Sequence, residues 1–93
     1  MTASFARHDD ALVFSGALDR AAAVALWPRL RREPTGVQRL DLTAVTLVDS
    51  AGLAMLAELA HGQPAGATIV GSPPGLEALR AAYRLQDNLS FAT

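Results

Sequence analysis

The chain has 93 residues, 51% hydrophobic and 18% charged, a length that holds one domain and a composition that folds rather than staying disordered. It contains no Cys and no Lys, which excludes disulfide scaffolds, thiolate-bound metals, thiol nucleophiles, Schiff-base chemistry and a phosphate-loop lysine. A net charge of −1 and a pI near 6.0 leave no electrostatic footprint for nucleic acid.

In chain order, Ser4 to His8 reads as a strand and Asp9-Asp10 as a turn. Ala11 to Gly16 is a second strand that closes a hairpin with the first. Asp19 is placed to cap a helix. Ala23, Leu26, Trp27 and Leu30 follow at i, i+3, i+4 and i+7, one helical face, with Pro28 expected to kink or shorten the helix. Pro34-Thr35-Gly36 then breaks the chain.

Arg39 to Leu42 reads as a short strand, with Val45 to Val48 extending its apolar character. Asp49-Ser50 supplies two candidate caps before Leu53, Leu56, Ala57 and Ala60, again at helical spacing. His61-Gly62 makes a helix end. Ala67 to Gly71 is β-rich, Ser72-Pro73-Pro74 suits a cap and first turn, and Leu76, Leu79 and Tyr83 form a third helical face. The tail from Leu85 to Thr93 adds a short strand or docks through Leu89 and Phe91.

The order β-β-α-β-α-β-α predicts an α/β sandwich in one domain over residues 1–93, its sheet mostly parallel after an antiparallel hairpin. The N-terminus has neither a basic segment nor an apolar core, and the stretch from Ala51 to Ala60 is too short to cross a bilayer. A soluble, cytoplasmic protein is expected. A chain this small has a modest core, so a partner protein is a reasonable source of added stability.

Few parts for catalysis are present, and the expectation is a non-enzyme without metal or cofactor. Ser50 and His61 lie on one predicted helix roughly 16 Å apart, at ~1.5 Å per residue, too far to form a dyad there. Glu58 and His61 make a single Glu-x-x-His pair, whereas a carboxylate-bridged metal site needs two such pairs and further Glu ligands. Gly71-Ser-Pro-Pro-Gly75 resembles a phosphate cradle only superficially, because its prolines offer no N–H and no Lys follows. A strand-to-helix turn is the simpler reading.

The most informative stretch runs from Leu40 to Leu56. It places an acid and a hydroxyl, Asp49 and Ser50, at a helix start where unpaired N–H groups and the dipole gather. They act as a cap, as a recognition surface, or as both. Gly52 in the first turn is inefficient for stability alone, and leaves the helix start open to close approach by another surface. Trp27, the single Trp, has two readings, core packing or anchoring a partner at the edge of its helix.

A strand followed by Asp49-Ser-Ala-Gly-Leu53 at a helix start resembles the signature of STAS domains, the fold of bacterial anti-sigma factor antagonists. The resemblance covers nearly the whole chain and implies a two-layer sandwich, a mixed, mostly parallel sheet with helices on one side. Phe14-Ser-Gly-Ala-Leu-Asp19, Leu26-Trp27, Leu40-Asp-Leu-Thr43 and Val48 to Leu56 are most similar to the small STAS subunits of Mla-type phospholipid ABC transporters. That likeness implies a cytoplasmic, non-enzymatic subunit peripheral to the inner membrane. Its partner would be the transporter ATPase, in a complex with permease and substrate-binding subunits, and its work would support lipid trafficking and outer-membrane lipid asymmetry. The implied partner-binding residues are Asp49, Ser50, Ala51, Gly52, Leu53 and Trp27. Pro28 departs from the pattern, and Ser50 stands where some relatives carry Thr. The alternative within the family is an anti-sigma factor antagonist with Ser50 as phosphoacceptor.

Overall fold

The computed structural model describes residues 3–32, 36–63 and 67–84. Its elements are β1 (Ser4–His8), β2 (Ala11–Leu18), α1 (Arg20–Leu30), β3 (Arg39–Val48), α2 (Ser50–His61), β4 (Thr68–Val70) and α3 (Leu76–Ala82). This is the predicted order. Pro34, Thr35 and the tail from Leu85 onward lie outside the described residues.

The strands form one sheet in the order β1-β2-β3-β4. Strands β1 and β2 are antiparallel, with His8 opposite Ala11 across the two-residue turn. Asp9 takes a left-handed φ of 53° there, a conformation Asp tolerates because its short polar side chain bonds locally. The pairs β2–β3 and β3–β4 are parallel, as α1 and α2 require of their crossovers. The sheet is mixed and mostly parallel.

One face of this sheet and the inner faces of the helices build the core. Leu12, Phe14 and Leu18 of β2 join Leu40, Leu42, Val45 and Val48 of β3, all buried, in one cluster with Leu26 and Leu30 of α1 and Leu53 and Leu56 of α2. At roughly 1.5–3 kcal/mol for each fully buried side chain, these contacts supply most of the drive to fold. Phe5 packs over Phe14 with ring centroids 6.1 Å apart, and the Arg29 guanidinium sits 5.0 Å above Phe5.

Three local expectations change. The residues 39–48 form one ten-residue strand rather than a short strand with an apolar extension. Its buried residues do not alternate strictly, because the register with β2 slips between Val13 and Ser15 and again between Gly16 and Ala17. Each slip gives β3 one extra residue and resets which side chains face the helices. Helix α1 continues through Pro28 to Leu30, with the Arg31 amide donating to the Trp27 carbonyl at 3.0 Å. Pro28 lies in the last turn, so only the bond to the Val24 carbonyl is forfeited. Helix α3 starts at Leu76, not at the prolines. Pro74 is held back because its carbonyl accepts the Val48 amide at 3.0 Å, and Gly75 turns the chain at φ 92°.

Candidate functional site

Strands β2 and β3 end level with each other, Leu18 paired with Val48. The next residue of each is an Asp that caps a helix, so the two helix starts stand side by side. Asp19 and Asp49 share one conformation, φ −105° ψ −171° and φ −101° ψ −175°. The Ala22 amide donates to Asp19 Oδ1 at 2.9 Å, and the Gly52 amide donates to Asp49 Oδ1 at 2.9 Å. A cap of this kind contributes about 1 kcal/mol.

Asp49 does more than cap its own helix. Its second oxygen, Oδ2, accepts the Arg20 amide at 3.2 Å, and its own amide donates to the Leu18 carbonyl at 3.2 Å. One carboxylate therefore ties the start of α2 to the start of α1. This answers the question left open for Asp49: the cap is formed.

Gly52 explains why the helices come so close. A Cβ there would fall on the Leu18 carbonyl oxygen, which is backbone and cannot move aside. The close approach that Gly52 permits is thus internal, α2 against the end of β2, and not an opening toward another molecule. Leu53 is likewise interior, 2% exposed and part of the core.

The other expected positions reach the surface. Ser50 is the first residue of α2 and is exposed, while Ala51 is half-buried. Trp27 is half-buried, packed against the core on one side and lining a shallow groove between α1 and α2 on the other. Trp27 thus packs against the core and still reaches the surface. Ala51 and Trp27 therefore share a surface, from which Gly52 and Leu53 are withdrawn.

That groove encloses about 390 Å³. Beyond Ala51 and Trp27 it is lined by Arg20, Ala23, Val24 and Pro28 on α1 and by Ala54, Met55 and Glu58 on α2. Val24 is 70% exposed. Most of these residues were missed as site residues. Arg20, Val24, Trp27 and Ala51, Ala54, Glu58 do recur at helical spacing, and that periodicity was the available signal. It could not say which stripe faces the sheet and which faces the neighbouring helix.

The remaining chemical candidates do not converge. Among the described residues, no group of three or more His, Cys, Asp or Glu stands together as a metal site. The Gly71–Gly75 segment works as a turn, its Pro74 carbonyl bonded to Val48 and its Gly75 pressed against the Val48 carbonyl. Asp41 on β3 has a carboxyl lowered in pKa, chiefly by the Thr43 amide and then the Thr43 hydroxyl, which donate at 2.9 and 2.7 Å. That arrangement braces the strand at its irregular point. No helix among the described residues is long and apolar enough to cross a membrane.

Comparison with known proteins agrees with this fold. The family model described as "Mlab, STAS domain" matches residues 1–90. Two curated relatives, each called intermembrane phospholipid transport system binding protein MlaB, come from Escherichia coli (strain K12) and Shigella flexneri. Each is 32% identical over 85 residues, covering 88% of this chain and 88% of the relative. A solved structure described as "Crystal Structure Analysis of Mglu" superposes with a TM-score of 0.51 at 23% identity over 78% of this chain. This chain spans only 20% of that larger one, and the likeness speaks for the fold alone. A strand-loop-helix signature at Asp49–Leu53, the β-β-α-β-α-β-α order and a match along nearly the full length converge, and the chain belongs to the MlaB-type STAS domain family.

Proposed function

We propose that this chain is a non-enzymatic accessory subunit that binds the MlaF-like ATPase of a Mla-type phospholipid ABC transporter. It works on the cytoplasmic side, within an assembly that also holds the permease and substrate-binding subunits, and it supports lipid trafficking and outer-membrane lipid asymmetry. The observation that carries this reading is the 32% identity to MlaB over 88% of both chains. The surface adds support, since Ser50 is exposed one residue before Ala51, which lines an apolar groove between α1 and α2.

On this reading the contact is made by Ser50, Ala51 and Trp27, while Asp49, Gly52 and Leu53 hold that surface in place from behind. Binding biases the ATPase through a difference in affinity between its states, which is the only way a subunit without chemistry can regulate one. The test is capture of the tagged chain from its native cells, with the co-purifying proteins identified by mass spectrometry. Recovery of an ABC ATPase with its permease is the expected result.

One feature favours a second reading. The Ser50 hydroxyl stands exposed at the start of α2, where a kinase can reach it. In an anti-sigma factor antagonist, phosphate there would add roughly −1.5 to −2 charges beside Asp49 and release the partner. Recovery of a serine kinase-like anti-sigma factor, with a one-phosphate mass shift at Ser50, would replace the transporter reading.

A further inference from the structure

The sheet ends at β1, and among the described residues no strand lies beyond it. The five residues of β1 alternate between two environments. Ser4, Ala6 and His8 are exposed on the face that the helices leave open, where Ser4 Oγ bonds Ser15 Oγ at 2.8 Å. Phe5 and Arg7 are half-buried on the helix side, where Phe5 packs over Phe14.

The hairpin fixes which backbone groups face outward. His8 and Ala11 close a two-residue turn as a hydrogen-bonded pair, so Ser4, Ala6 and His8 direct their amides and carbonyls to β2. The backbone groups of Phe5 and Arg7 point toward the outer edge. Such an edge is a template for another strand.

The sequence of this edge fits a copy of itself. Two β1 strands running antiparallel about a twofold axis at Ala6 pair along their whole length. Ser4 then faces the second copy's His8, Phe5 faces its Arg7, and Ala6 faces its own counterpart. The Phe5–Arg7 pairs are the hydrogen-bonded kind, about four main-chain bonds in all, and the Ala6 pair is the closer, non-bonded kind. Ala6 has the small side chain that this approach requires. Each Phe5 ring gains the aliphatic stem of an arginine, while Arg7 keeps its side-chain bond to the Asp9 carbonyl at 2.8 Å. An axis at Arg7 would set two guanidiniums opposite each other, and one at Phe5 would leave Arg7 and His8 beyond the partner strand. An unrelated strand meets Arg7 as the kind of charge that keeps edges from pairing indiscriminately; a second copy answers it with Phe5.

We propose that β1 pairs with the β1 of a second copy, antiparallel about Ala6, making one sheet continuous across two chains. The axis is normal to the sheet, so both helix layers lie on one side. Helix α1 is the one beside β1, and α2 lies toward β3. The start of α2 therefore stays uncovered, and the pair carries two such surfaces pointing in opposite directions along the sheet. A binding partner of that surface is then held bivalently. The inference rests on the edge alone and stands or falls apart from the transporter reading. A pair of five-residue strands buries less than the ~1,200 Å² of a standard interface, and Arg7 and Arg29 of both copies gather around the Phe5 rings. The dimer is accordingly weak by itself and strengthened where a partner holds two copies close together.

Cross-linking traps a weak pair, and the chain has no Cys of its own to interfere. Ala6→Cys in the full chain sets two thiols across the axis at a Cα separation of about 4.5 Å, within disulfide reach. Ser4→Cys and His8→Cys are also exposed, but each stands about 14 Å from its own copy, four residues along at ~3.4 Å each. Under copper-phenanthroline oxidation, Ala6→Cys should dimerise at least tenfold faster than either of the other two alone. Ser4→Cys mixed with His8→Cys should cross-link within about threefold of the Ala6→Cys rate, because those positions face each other. Circular dichroism checks that every variant keeps the fold. Equal rates for the three variants alone would mean random collision and overturn the proposal. Self-cross-linking of Ser4→Cys or His8→Cys that outpaces Ala6→Cys overturns it as well, since the axis would then lie elsewhere.

Discussion

Asp49 Oδ2 accepts the backbone amide of Arg20 at 3.2 Å, joining two helix starts that are 29 residues apart in sequence. The same carboxylate caps its own helix through the Gly52 amide. Local and long-range order therefore meet on one side chain, and its two oxygens can be separated by mutation.

Asp49→Ala removes both bonds and should cost about 1–2 kcal/mol, a fall in Tm of roughly 4–15 °C for a domain of this size. Asp49→Asn keeps one oxygen to accept from Gly52 but presents an NH2 that cannot accept from Arg20. It should lose less than the Ala variant. Thermal unfolding followed by circular dichroism ranks the two; equal losses would mean that the Arg20 bond contributes nothing.

Gly52→Ala sets two effects of opposite sign against each other. Helix propensity alone favours Ala by about 1 kcal/mol. The new Cβ, however, falls on the Leu18 carbonyl, and overpacking against fixed backbone typically costs about 1–3 kcal/mol or more. Destabilisation is the expected outcome in urea, with a lower midpoint. A raised midpoint would show that α2 can slide away from β2.

Pro28→Ala should go the other way. It restores a donor for the Val24 carbonyl and removes the ring from the last turn of α1. The gain should be positive and below the ~3 kcal/mol of a helix interior, because the site lies two residues from the helix end. Helicity and Tm should both rise.

Ser50 and Leu53 are three residues apart and should behave in opposite fashion. Leu53→Ala empties a buried position and should cost about 2–5 kcal/mol whatever the partner. Ser50→Ala should leave stability within about 0.5 kcal/mol and weaken ATPase binding modestly. Ser50→Arg should keep the fold and abolish binding; retention of the ATPase by a folded Ser50→Arg variant would move the interface elsewhere.

Asp41 gives the pH dependence a sign. Its folded-state pKa is lowered by the Thr43 amide and hydroxyl, so its contribution is present above the unfolded-chain value near ~3.9 and is lost as pH falls through the lower folded value. Asp41→Asn cannot titrate and should show a shallower loss of stability below about pH 4. The difference should stay under ~1 kcal/mol, since the group is partly open to solvent. Urea midpoints between pH 2 and 6 measure it.

Much of this protein was legible in its residues because much of it is fixed by bonds between near neighbours. The hairpin follows from Asp9-Asp10 between two apolar runs, and the helix starts follow from Asp19 and Asp49, each capping an amide three residues on. The family resemblance rests on the same local signature at Asp49–Leu53. The element order, the mixed sheet and the position of the candidate site at the start of α2 are determined at this level.

What the tertiary structure alone decided depends on the pairing of Leu18 with Val48, thirty positions apart. That register sets the two helix starts side by side, gives Asp49 its bond to Arg20 and brings the Leu18 carbonyl against Gly52. It turns Gly52 and Leu53 inward. It also sets Trp27 beside Ala51 across a groove whose charged ends no single helix reveals. A one-dimensional pattern tells an apolar face from a polar one. Whether that face meets a sheet, a second helix or solvent is fixed only when strands distant in sequence lock their register.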